Sequence, residues 1–189
     1  MRFPHSLFSS VAERFQSPAS IPSPSRTLIR NMPAITAVLH TENDGLRLGR
    51  ALETLYPCDD IVVIDHDSRD ATISVARHYG ARVIDGRKSS SPENWLAPVD
   101  QGWIFCLDPK ESLTENLAAS LYEWKSQKSV LGAAFSMFLR EETSEGWREV
   151  PLPQTRLVPA SWKKWNGVFP ADDRPALPLE GELLRFSFP

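Results

Sequence analysis

The sequence predicts a three-layer α/β domain: a mixed, mostly parallel sheet with helices on both faces. Three observations carry this. Short apolar runs, ITAVLH at 35–40, IVVI at 61–64 and WIFCL at 103–107, are each followed by polar residues. Between the first two lies a stretch with helical periodicity, and the strand-then-helix unit repeats. Strands apolar at consecutive positions are buried on both sides, as in a parallel sheet covered by helices.

Taken in order, residues 35–40 give the first strand, and Thr41, Glu42, Asn43, Asp44 and Gly45 after it are turn and cap formers. Leu48, Ala51, Leu52 and Leu55 recur at i, i+3, i+4 and i+7, one apolar stripe of a helix that Pro57 stops. The second strand, 61–64, closes with Asp65, His66, Asp67 and Ser68. A second helix follows, with Asp70 as N-cap, Val75, Ala76 and Tyr79 turned inward, and Gly80 at its end. Residues 82–84 form a third strand. Beyond an irregular stretch over 85–101, the buried strand 103–107 ends in Asp108. Ser112 and Glu115 read as a capping box ahead of Leu113, Leu117, Leu121 and Trp124. Residues 131–139 read as a strand, and the Pro-rich part from Val150 carries short strands at 155–158 and 183–188. These make a mixed, partly antiparallel edge.

Bulk properties narrow the function classes. A formal charge of -3 and a pI near 5.8 argue against nucleic acid, whose phosphates are held by clustered Lys and Arg. Cys58 and Cys106 lack metal-ligand spacing and suggest neither zinc nor a disulfide framework, so a reducing, cytoplasmic setting is expected. The longest apolar run, 130–139, is about half of the roughly 20 residues that cross a bilayer, leaving at most peripheral contact with a membrane, at its inner face. Residues 1–31 hold four Arg, one Glu and no Lys, with a Ser/Pro-rich stretch over 17–25. They read as a flexible tail, a transit-type leader, or a stretch upstream of a start at Met32. Residues 32–189 form the folded domain.

In open sheets of this kind ligands bind beyond the carboxyl ends of the strands, which is where the clusters at 41–45 and 65–70 fall. A carboxylate and turn amides there can read the N–H of a planar base and the diol of a ribose. A dinucleotide oxidoreductase is disfavoured, because no G-x-G-x-x-G follows the first strand.

The string IVVIDHDSRDAT resembles the family 2 glycosyltransferases, in which an apolar strand ends in Asp followed by Ser, Asp and Thr; Asp65, Ser68, Asp70 and Thr72 match. Thr41, Glu42 and Asn43 match that family's first polar loop, and WIFCLDPKESLTENL its strand ending in the D-x-D element. RLVPASWKKWNGVFP and LEGELLRFSFP resemble the branch that builds lipopolysaccharide cores in the cell envelope. The resemblance spans residues 35–188. It implies a nucleotide-diphospho-sugar transferase (GT-A) fold, a nucleotide-sugar donor, and a glycan or lipid-linked acceptor. It gives Asp65 the base-contacting role and places Thr41, Glu42, Asn43, Ser68 and Asp70 around the nucleoside.

The family holds Mg²⁺ or Mn²⁺ against the donor diphosphate with its D-x-D carboxylates. Here the element reads Asp108, Pro109, Lys110, Glu111, a degenerate form that leaves Asp108 and Glu111 as candidate ligands. Related sequences carry Val-His-Glu where this chain has Val168, Phe169, Pro170, and a His where it has Arg185. Lys110 and Arg185 are therefore candidates to replace a metal's charge in catalysis. Two functions remain: a transferase, working with a weakened metal site or without metal, or a catalytically degenerate nucleotide-sugar-binding or regulatory module. No motif selects an acceptor base among Glu141, Glu142, Asp172 and Asp173. Glu141, Glu142 and Glu145 read as a solvated turn, Trp147, Trp162 and Trp165 could stack on a sugar or pack, and His40, His66 and His78 are scattered.

Overall fold

Alternation along the first strand sets the two faces of the sheet. In the computed structural model, which describes residues 32–88, 95–97, 99, 102–127, 134–172 and 175–187, β1 (Ile35–Thr41) sends Ile35, Ala37 and Leu39 into one core and Val38 into another. The expectation for residues 1–31 lies outside the described residues.

The remaining strands are β2 (Asp60–Asp65), β3 (Arg82–Asp85), β4 (Trp103–Leu107), β5 (Glu111–Leu113), β6 (Phe135–Thr143), β7 (Gly146–Glu149), β8 (Gln154–Pro159), β9 (Trp165–Asn166), β10 (Phe169–Pro170) and β11 (Leu177–Arg185). Together with β1, eight of these form one nine-stranded sheet in the order β3-β2-β1-β4-β8-β6-β11-β5, with β7 beside β6; β9 and β10 make a separate ribbon. The pairings β1–β2, β1–β4, β2–β3 and β6–β11 are parallel, and β8, β5 and β7 run the other way. This is the mixed, mostly parallel sheet that the sequence predicts.

The helices α1 (Leu48–Glu53), α2 (Thr72–His78) and α3 (Glu115–Ser126) bury Leu48, Leu52, Ala76, Leu117 and Leu121 against the Ile35 face. On the opposite face, Trp95, Leu96, Val99 and Trp162 cover Val38, Val62, Ile104 and Cys106. The start of β1 is fastened by an ion pair between buried Lys125 and half-exposed Asp59: Lys125 Nζ meets both oxygens of Asp59 at 2.8 Å, and Asp59 accepts the Ile35 amide at 2.8 Å. The end of α3 and the beginning of the sheet are thereby joined.

Two caps differ from the sequence reading. Ser112 is not a cap, because it lies in β5, paired with Leu184 of β11; Thr114 takes the cap, its Oγ1 accepting from the Leu117 amide at 3.3 Å. The N-cap of α2 is Ala71 without a side-chain bond, while Asp70 Oδ1, one residue earlier, accepts the Thr72 amide at 2.9 Å. The strand expected over 183–188 begins earlier, at Leu177, and its register shifts between Pro178 and Glu182. Gly181 sits in that irregularity with φ +92°, and a Cβ there would lie 2.2 Å from the Leu117 amide nitrogen. Both the left-handed backbone and the closeness of α3 require glycine. Gly181→Ala should therefore destabilise the domain by at least about 2 kcal/mol, read as a lower urea midpoint with an unchanged slope.

Candidate active site

The sheet's register brings the first two predicted loops together. Thr41 and Asp65 are neighbours at the ends of β1 and β2, both buried. Thr41 Oγ1 donates to Asp65 Oδ1 at 3.1 Å, and the Ser68 amide donates to Asp65 Oδ2 at 3.0 Å. Asn43, held at φ 57°, donates its amide to Ser68 Oγ and accepts the Arg69 amide on Oδ1. The Gly45 amide reaches Asp70 Oδ2 at 2.9 Å, and hydrogen bonding from Thr72 holds the Asp70 carboxyl below its ordinary range. Glu42 is exposed beside them. Thr41, Glu42, Asn43, Asp65, Ser68 and Asp70 thus form one patch.

Asp65 is only 6% exposed, yet it lines a hollow of about 240 Å³ together with Asp67, Ser68, Arg77, Asp85 and Arg87. Arg87 rims it, reaching Asp67 Oδ1 and Asp85 Oδ1 at 3.0 Å each. Asp108 is not among the lining residues. It follows β4, two strand spacings from β2, about 10 Å away along the sheet edge.

The turn after β4 is organised by Glu111. Its carboxylate is 0% exposed; Oε1 accepts from Arg156 Nη2 at 2.9 Å and from Arg185 Nη2 and Nε at 2.7 and 3.2 Å, while Oε2 accepts the Asp108 amide at 3.0 Å. Arg185 is 29% exposed, and its Nη1 binds Glu141 Oε1 at 2.8 Å. Arg148 binds the other Glu141 oxygen, and these hydrogen bonds lower the Glu141 pKa. Asp108 Oδ1 accepts the Lys110 amide at 2.9 Å, and Lys110 itself is exposed, with no ion pair found among the described residues.

This arrangement does not fit a divalent cation. The oxygens of Glu111 are occupied by two guanidinium groups and an amide, which leaves Asp108 as the remaining ligand. Among the described residues no group of three or more His, Cys, Asp or Glu could hold a metal. Arg185 is likewise committed, with all three nitrogens engaged.

Sequence reasoning missed Arg156. The pairings Phe135↔Leu157 and Ser136↔Thr155 skip it, so Arg156 is the extra residue of a β-bulge, a device that re-aims a side chain. Its visible signal was a lone charge inside the apolar run TRLVP. Two of the three histidines read as scattered come together: His40 Nδ1 and His66 Nε2 lie 2.9 Å apart with stacked rings, and Trp95 stands edge-on to His40, while His78 meets Tyr79 instead. Burial, then repulsion from His66, pushes the His40 pKa down to about 4. Glu141 and Glu142 lie on β6 rather than in a solvated turn, and Glu142 accepts the Ser187 amide. Asp172 accepts the Thr155 amide at 2.6 Å, and Asp173 lies outside the described residues. Trp162 packs in the core, Trp165 is half-buried against Trp95, and Trp147 is 40% exposed beside Phe186.

With this edge in place, the chain is similar in sequence to glycosyltransferases, although no family model matches it. An uncharacterized glycosyltransferase of Rickettsia felis is 30% identical over 97 residues, covering 46% of this chain and 32% of that protein. Its counterpart in Rickettsia prowazekii is 28% identical over 97 residues, 46% and 31% of the respective chains. The match spans about a third of the length of these curated relatives. Among solved structures, a mannosyltransferase of Pyrobaculum calidifontis in complex with GDP-Man and Mn²⁺ superposes with a TM-score of 0.44 at 18% identity, covering 56% of this chain and 35% of that one. Glucosyl-3-phosphoglycerate synthase of Mycobacterium tuberculosis gives 0.40 at 19%, covering 65% and 50%.

Two outcomes follow from the geometry. Glu111→Ala leaves buried Arg156 without its carboxylate and should cost about 3–5 kcal/mol in urea denaturation, whereas Arg185→Ala, at a partly exposed site, should cost clearly less. For His40 the folded pKa, about 4, lies below the unfolded 6.5. Its contribution is therefore complete above pH 6.5 and is lost as pH falls toward 4, on the order of 2–3 kcal/mol in all. Urea midpoints of His40→Gln should fall less than those of the parent between pH 7 and 5; parallel declines would remove His40 as the cause.

Proposed function

We propose that this chain is a sugar-transfer domain of the nucleotide-diphospho-sugar transferase (GT-A) type. It takes a nucleotide-sugar donor at the carboxyl edge of β2, β1 and β4 and works without a divalent metal. The observation that carries the reading is Asp65 at the hollow beside the strand ends, in a chain similar in sequence to glycosyltransferases. Asp65 accepts an N–H of the base, with Thr41, Glu42, Asn43, Ser68 and Asp70 around the nucleoside. About 10 Å further along the edge, the diphosphate meets Lys110, whose ammonium supplies the charge that leaving-group stabilisation needs. Arg185 acts there through Glu111 and Glu141, as a positioning residue. The acceptor is a glycan or a lipid-linked glycan of the lipopolysaccharide core type, reached from the inner face of the membrane. Among the described residues no helix is long and apolar enough to cross one.

A second reading has its own observation. The Asp65 oxygens and all three Arg185 nitrogens already have partners within the chain, which suits a degenerate module that keeps the fold and regulates through a partner.

A thermal-shift panel of UDP, GDP and their sugars separates the readings. The expected result is a rise in melting temperature with one nucleotide, equal in EDTA and in Mn²⁺, corresponding to about 2.7 kcal/mol at 100 times Kd. Asp65→Ala and Lys110→Ala should each reduce it. A rise seen only with Mn²⁺ would sink the metal-free transferase, and no rise with any nucleotide leaves the module.

A further inference from the structure

Arg156 is 1% exposed, yet its Nε and Nη1 have no hydrogen-bond partner among the described residues. Nη2 alone is used, by Glu111 Oε1 at 2.9 Å and Gln154 Oε1 at 2.7 Å. Three of a guanidinium's five N–H donors are thus idle in the interior. Leaving buried donors unsatisfied is costly, more so for charged groups, so a purely structural cation would be expected to spend them. Neutralising Glu111 uses only Nη2 of Arg156, and Arg185 adds two hydrogen bonds to the same oxygen, so the remaining donors are not spent on it. The bulge in β8 nevertheless aims Arg156 here, beside the carboxyl end of β4.

An aromatic ring lies directly against this group. Phe169 lies over the guanidinium, 4.0 Å from Cζ to the ring centroid. It belongs to the β9–β10 ribbon, whose turn contains Gly167 at φ 59° and whose strands, among the described residues, pair only with each other. The described bond next to it that ties this segment to the main sheet is Thr155 N–H to Asp172 Oδ1.

We propose that Arg156 is a phosphate-binding residue held in reserve beneath Phe169, and that the β9–β10 ribbon lifts to admit a phosphate group to its idle Nε–H and Nη1–H donors. The phosphate is that of a nucleoside diphosphate or a free inorganic one. The nucleoside source rests on the donor reading above; the anion site itself does not.

Isothermal titration in EDTA with inorganic pyrophosphate, inorganic phosphate, UDP and uridine tests this on the full chain. Pyrophosphate and UDP should bind, and uridine much more weakly. Arg156→Lys keeps a cation beside Glu111 but loses the idle donors, and should weaken pyrophosphate at least tenfold, with its melting temperature reporting that the fold survives. Phe169→Ala removes the cover and should tighten pyrophosphate several-fold, with the Arg156 side chain left intact. Unchanged affinity in Arg156→Lys, unchanged or weaker affinity in Phe169→Ala, or no anion binding at all would overturn the proposal. If UDP binds equally to the parent and to Arg156→Lys, the donor reading survives and this inference falls. If pyrophosphate or phosphate binds through Arg156 while UDP and nucleotide sugars do not, the anion site stands and the donor reading falls.

Discussion

The carboxyl edge of this sheet depends on one buried carboxylate. Glu111 could not be ionised where it stands without strong compensation, since an isolated buried carboxylate costs far more than a domain can spare. Arg156 from β8, Arg185 from β11 and the Asp108 amide after β4 supply it. Through Arg185 the contact extends to Glu141 on β6. Two strands distant in sequence and the turn after β4 are thus fixed against one pair of oxygens, with β6 reached through Arg185. An apolar cluster of the same volume would often be at least as stable, so what this one contributes is position. It holds the turn carrying Asp108 and Lys110 at the end of β4.

The other end of the edge follows the same logic on a smaller scale. Side chains of the β2–α2 loop satisfy amides of the β1–α1 loop: Ser68 takes Asn43, Thr72 takes Asp44, and Asp70 takes Gly45. Loops that bind ligands are commonly mobile; these two are tied to each other before any ligand arrives. The edge therefore has two fixed poles of different character. Near Asp65, carboxylates Asp67 and Asp85 surround the hollow, with Arg87 drawn between them. Near Asp108, the cations Lys110, Arg185 and Arg156 gather.

How much of this could be read from the sequence depended on range. Strands β1, β2 and β4 and the helices between them were legible because apolar runs and i, i+3, i+4 spacing are local signals. The capping box at Ser112 and Glu115 was an equally local signal, and it failed because sheet pairing with Leu184 claimed Ser112 first. Asp65 and its loop were placed correctly at a strand end, since strand ends are where apolar runs stop. The Glu111 cluster was out of reach: its partners lie 45 and 74 residues away, and the bulge that turns Arg156 toward it leaves no trace beyond one charge in TRLVP. The same holds for His40 and His66, 26 residues apart and brought into contact by parallel strands one register step past Asp65.

That histidine pair leads to the other pole. His66 stacks on His40 at 5.2 Å, His40 meets Trp95 at 4.5 Å, and Trp95 meets Trp165 at 5.4 Å, a run of rings from the end of β2 to the first strand of the ribbon that carries Phe169. The His40–His66 contact needs one donor and one acceptor, so protonating both rings turns it repulsive. Packed side chains transmit such a change when one member has two arrangements. The ribbon is held to the main sheet by side-chain contacts rather than by strand pairing, with Trp165 and Phe169 packed against the Val38 core. The two poles are joined along the Val38 face of the sheet, while the opposite face, packed with α1, α2 and α3, keeps the strand ends in register.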